Sequence, residues 1–170
     1  MTSQRILVVG GLLLLLLSAG YGVLYDGIIM EERYQEMRYN LDMALNKAVQ
    51  GDPVLAGRFA KQFVANSEQK DRQARVQQFL VLAGAAAGLA LWLAPKLTIR
   101  ESVKRIFALL IVGGGGLLAL GGLLRAWEGN DWTFYLVIGG YAWILLGLVG
   151  YLLYSLLYIW LNDEIKSKKE

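Results

Sequence analysis

Four apolar stretches, Ile6–Tyr25, Phe79–Ala94, Ile106–Trp127 and Thr133–Leu161, constrain this chain more than anything else in it. A helix rises 1.5 Å per residue, so about 20 apolar residues cross the ~30 Å hydrocarbon core of a bilayer. Each stretch meets or approaches that length. The expected fold is therefore an all-α integral membrane protein with four transmembrane helices. About half of the 170 residues lie in these stretches, and the rest is too short for a large separate enzyme domain.

The composition removes most chemistry. There is no Cys and no His, which excludes disulfides, thiolate sites and the usual zinc, haem and copper ligation. No Asp or Glu sits in the central turns of the spans, where proton relays and ion sites would need one. The run Gly113–Gly116 is not a phosphate loop, because no Lys-Ser or Lys-Thr follows it. The chain is expected not to be an enzyme and to carry no metal or cofactor, bound lipid aside. Its net charge of +3 comes from bases scattered at span borders and through a mixed-charge loop, so nucleic acid is not expected as a partner.

The distribution of those bases predicts orientation. The loop Pro95–Arg105 holds Lys96, Arg100, Lys104 and Arg105, whereas Trp127–Trp132 holds Glu128 and Asp131 and no base. Short basic loops stay cytoplasmic. Both termini then fall inside, in agreement with Arg5 and with Lys166, Lys168 and Lys169, and the expected location is a bacterial-type inner membrane. The seven bases of the 95–105 loop and the tail are expected to attract anionic lipid at the cytoplasmic face. Arg5 followed by a Leu run, with Ser18 and Gly20 at cleavage spacing, has signal-peptide character; the expectation is an uncleaved anchor.

The chain divides into residues 1–25 (stub and first span), 26–78 (outer segment), 79–161 (remaining three spans) and 162–170 (charged tail). In the outer segment Met30, Tyr34, Met37, Leu41, Ala44 and Ala48 alternate in steps of four and three, placing them on one helix face. Gly51 stops that helix, and Asp52-Pro53 starts another as N-cap and first helical residue. The second helix carries Leu55, Phe59 and Phe63, and Asn66-Ser67 reads as a break before the second span. An extracytoplasmic amphipathic helical hairpin is the expected result.

The spans themselves are rich in small residues, which let helices approach closely where lipid removes the hydrophobic drive to associate. Gly84 and Gly88 form one such pair, Gly115, Ala119 and Gly122 another row, and Gly140, Gly147 and Gly150 a third. Gly113–Gly116 is read as a close-packed continuous helix, with transporter-like unwinding as the alternative. Arg125, near a span end beside Trp127, is expected to snorkel to the interface, with Tyr25 and Asp26 within reach as partners. Tyr151, Tyr154 and Tyr158 share a face expected to meet protein, either a neighbouring helix or a quinone or lipid pocket.

The chain matches neither the small subunits of periplasmic-binding-protein-dependent transporters nor stator proteins of the flagellar-motor type nor small multidrug exporters: the intramembrane Glu of the exporters and the large cytoplasmic insertion of the stators are both missing. Excess packing surface without chemistry points to a non-catalytic accessory or assembly subunit of a larger membrane complex. Tyr34, Met37, Leu41, Gly84, Gly88, Gly147, Tyr151, Tyr154 and Tyr158 are the candidate partner-binding residues, toward other membrane subunits in a homo- or hetero-oligomer. A small homo-oligomeric channel or transporter with unwound Gly113–Gly116, and a membrane sensor using the hairpin, are the alternatives.

Overall fold

The computed structural model describes residues 2–97, 99–127 and 131–167, with side chains described to residue 157 except at 131. Among the described residues there are helices and no strand. α1 (Ser3–Leu24) passes through a wide π-helical turn, Tyr25–Ile29, into α2 (Met30–Val49) without interruption. α3 (Pro53–Leu93) ends in a short 3-10 turn, Ala94–Lys96, and α4 (Glu101–Trp127) and α5 (Asp131–Ser167) follow. Four helical runs, Ser3–Val49, Pro53–Lys96, Glu101–Trp127 and Trp132–Leu157, contain stretches long and apolar enough to cross a membrane.

The turn between α2 and α3 has a sequence cause. Gly51 takes φ +78°, where a side chain would be strained, and the last turn of α2 closes through Gly51 N–H to Ala48 O (3.1 Å) and Asp52 N–H to Lys47 O (2.9 Å). Asp52 then accepts the Leu55 N–H at 3.0 Å, with Pro53 in the first helical position. From there α3 runs unbroken for 41 residues. The break expected at Asn66-Ser67 is not there: both residues are accommodated as helix, packed along α2 and half-buried. The segment 26–78 is accordingly continuous with the first two spans at both ends.

Helix α4 is the centre of the bundle, packing on α1, α3 and α5, while α5 rests chiefly on α4. Glycine makes this possible on two sides at once. A Cβ added at Gly115 would lie 2.7 Å from Leu14 of α1 and 2.9 Å from Ala83 of α3; one added at Gly114 would lie 2.8 Å from the Gly140 carbonyl oxygen of α5. The run Gly113–Gly116 is thus helical, and the unwinding considered from the sequence does not occur, because its glycines are used to bring backbones together. Leu7, Leu14, Ala83, Ala87, Ile111 and Leu118 fill the space between the helices.

Outside this core the spans present a continuous apolar surface, including Leu16, Val23, Leu120, Leu146 and Leu153, each more than half exposed. Such a belt needs hydrocarbon around it, as a multi-pass membrane protein has.

Candidate partner-binding surfaces

One contact line joins α1 and α2 to α3. It runs Leu14, Ser18, Tyr21, Tyr25, Ile29, Arg33, Met37, Asn40 and Ala44, all buried or half-buried. From Tyr21 to Met37 every step is four residues, and an unbroken α-helix of 3.6 residues per turn would carry such a line away from its partner. The π-helical turn at Tyr25–Ile29 takes up the excess. Its consequence is a rotated α2: the stripe read from the sequence is split, with Met37 and Ala44 toward α3 and Tyr34, Leu41 and Ala48 toward the outside.

Phenols secure this line. Tyr21 donates to Gln73 O at 3.0 Å and Tyr25 to Lys70 O at 3.2 Å, the two rings stacking at 6.1 Å. The Lys70 ammonium in turn donates to the Tyr34 hydroxyl at 3.2 Å and lies 4.3 Å from its ring centre. Farther along, Tyr39 meets Phe59 edge-on, and Asn66 donates to Glu36 at 3.4 Å. Tyr34 is still 48% and Leu41 43% exposed, so neither is consumed by the packing.

The glycine candidates separate in the same way. Gly84 faces Leu15 of α1, and Gly147 faces Ile111 and the Phe107 carbonyl of α4, both inside the chain. Gly88 has nothing within 4 Å of an added Cβ; it lies open in an apolar groove of about 190 Å³ with Gly11, Leu15 and Leu91. A second apolar groove, about 290 Å³, lies between Leu17, Tyr21, Leu80 and Leu123.

The tyrosine stripe of α5 does not hold together as one protected face. Tyr151 is 1% exposed and donates to Lys104 O at 2.9 Å, with Phe107 at 5.3 Å. Tyr154 is exposed, about one turn along but off that contact. The side chain of Tyr158 lies outside the described residues, as do Glu128, Lys168, Lys169 and the side chains of Asp131 and Lys166.

At the end of the bundle bearing the N-terminus, α4 caps its neighbours. Glu101, in its first turn and ahead of the apolar stretch from Ile106, accepts the Ser3 N–H at the start of α1, an anion on a helix N-terminus. That bond, more than the nearby Lys104 and Arg105, holds the Glu101 carboxyl below the usual carboxylate range. Lys104 donates to Ala94 O at 2.7 Å, a cation at the end of α3. No sequence pattern announced these caps, since 98 residues separate Ser3 from Glu101.

Arg125 sits half-buried in the last turn of α4, near the span end, but without the partners offered from the sequence. It does not pair with Tyr25, whose hydroxyl is engaged by Lys70 O, or with Asp26; its guanidinium lies 5.0 Å over the Phe134 ring. It also shares a small pocket with Arg72 and Arg75 of α3, floored by Phe79 and Gly122. The sequence signal for this was the i, i+3 pair Arg72 and Arg75 immediately ahead of the Phe79 span, obscured by the balanced charge of the surrounding segment.

No family model matches the chain, and comparison with curated proteins and with solved structures finds no match.

Proposed function

We propose that this chain is a non-catalytic accessory or assembly subunit of a larger complex in a bacterial-type inner membrane. Both termini are cytoplasmic and the α2–α3 hairpin stands outside. The observation carrying this reading is the uncovered apolar face of α2. Tyr34, Leu41, Leu45 and Ala48 fall within one narrow arc at 100° per residue, all exposed, and Val49 follows at the turn, 89% exposed. Charged residues Glu31, Glu32, Arg38 and Asp42 on the same helix keep it in water, where an apolar helix face is a site for a partner. α5 adds a second uncovered surface inside the bilayer, since it rests chiefly on α4. The channel and transporter alternative drew on unwound backbone at Gly113–Gly116 and lacks that support.

The test is Tyr34→Ser with Leu41→Ser in the full chain. Membrane insertion should be unchanged, because it depends on the four apolar runs, while association with partner subunits should weaken about tenfold or more. Co-purification of every partner at wild-type yield would remove the hairpin from the interaction and leave only the membrane faces. Orientation has its own readout. The chain has no native Cys, so a single cysteine at Glu36 should react with a membrane-impermeant maleimide in intact cells or spheroplasts. Reaction only after lysis would invert the topology.

A further inference from the structure

The three arginines at the hairpin end of the membrane-spanning region form a site that the accessory reading does not use. Arg72 and Arg75 are one turn apart on α3, directly before the apolar residues Val76 and Phe79; Arg125 comes from the last turn of α4. Together with Phe79 and Gly122 they line a pocket of about 50 Å³, more than the ~10–15 Å³ a single water requires. Among the described residues their one ion pair is loose, Arg72 to Glu68 at 3.7 Å, with Glu68 itself well exposed. The Arg72 Nε atom is fully buried and has no hydrogen-bond partner. A buried N–H without an acceptor is costly, and three like charges lining one pocket repel one another, screened by solvent at exposed Arg75 and third-exposed Arg72, so an anion among them is favoured.

We propose that this pocket binds the phosphate of an anionic phospholipid headgroup. Guanidinium forks match phosphate oxygens in pairs, and the Arg72 side chain, whose Nε is buried, keeps about a third of its surface open to offer its terminal N–H groups. The floor decides for lipid over free phosphate. Phe79 and Gly122 begin the apolar belt, and exposed Leu82, seven residues after Arg75 and so on the same face of α3, continues it toward the bilayer centre, so acyl chains have apolar surface to lie on below the arginines. Gly122 has no room for a larger residue, since an added Cβ would lie 2.8 Å from the Phe79 ring. Packing of Phe79 against Gly122 is what sets α3 and α4 close enough for their arginines to share one anion. This inference holds for either orientation in the membrane and does not depend on the accessory reading.

The test is a titration of the full chain in neutral detergent, read by native mass spectrometry, with short-chain phosphatidylglycerol, phosphatidylcholine of the same chain length, and inorganic phosphate. Phosphatidylglycerol should bind one per chain and better than phosphatidylcholine. Each Arg→Gln change should weaken it about fivefold and R72Q/R75Q/R125Q about 100-fold. The control R38Q/R58Q/K61Q removes three exposed bases elsewhere in the hairpin and should bind as wild type. Equal loss in the control would reduce the effect to diffuse attraction and overturn the site. Displacement of the lipid by inorganic phosphate at equal concentration would overturn the lipid assignment. Should the triple glutamine variant fail to fold, R72K/R75K/R125K keeps the charge and loses the fork; it should bind about tenfold more weakly than wild type, and wild-type binding would overturn the proposal.

Discussion

Gly140→Ala is expected to destabilise the bundle by about 1–3 kcal/mol, as overpacking does. The added Cβ would lie 2.7 Å from the Leu118 backbone nitrogen and 2.8 Å from the Gly114 carbonyl oxygen, and neither can move without shifting α4 against α5. Gly147→Ala should cost less, because one of its two close neighbours is the Ile111 side chain, and Gly84→Ala less again, since the Leu15 tip at 2.6 Å can turn away. Gly88→Ala meets nothing and should be neutral or stabilising by up to about 1 kcal/mol through helix propensity. Unfolding by SDS in mixed micelles measures the series. If Gly88→Ala costs as much as Gly140→Ala, the α4–α5 contact described above is wrong.

Ile111→Ala should cost about 1–3 kcal/mol, and Leu146→Ala should stay within about 0.5 kcal/mol of wild type. In hydrocarbon the two side chains are equally soluble, so transfer from water contributes little to either. Ile111 is 0% exposed and packs on Gly147; its truncation leaves a void whose walls lose contact on one side. Leu146 is 61% exposed and a lipid chain fills the space it vacates. The same SDS titration reads both variants, and equal costs would show that the core and the lipid-facing surface have been exchanged.

Hydropathy places all four membrane-crossing runs, because crossing the bilayer is a local requirement on about 20 consecutive residues. Gly51, Asp52 and Pro53 announce a helix stop and start that the structure keeps to the residue. The glycine rows of α4 and α5 were legible as packing faces. The Asn66-Ser67 break was not: polar residues weaken an isolated helix, and packing against α2 overrides that local preference.

The helix carrying the candidate residues was legible, and the way it faces its neighbours was not. The alternation Met30, Tyr34, Met37, Leu41 identified an amphipathic helix, but the π-helical turn at Tyr25–Ile29 decides which of those residues meets α3, and nothing in the five residues Tyr-Asp-Gly-Ile-Ile signals a widened turn. Tyr151 and Tyr154, adjacent on one face by spacing, differ between burial and exposure because α4 covers only part of α5.

By itself, then, the sequence determined that this chain is helical, that four of its runs are long and apolar enough to cross a membrane and where its helices turn, for these depend on interactions within a few residues of one another. Tertiary structure alone decided the rotation of α2, the capping of α1 by Glu101 and the meeting of Arg72, Arg75 and Arg125. The physical reason is that lipid accepts an apolar side chain as readily as the protein interior does, so apolar periodicity in a span does not mark its buried face; only close contact between glycine-bearing backbones brings distant polar groups into reach of each other.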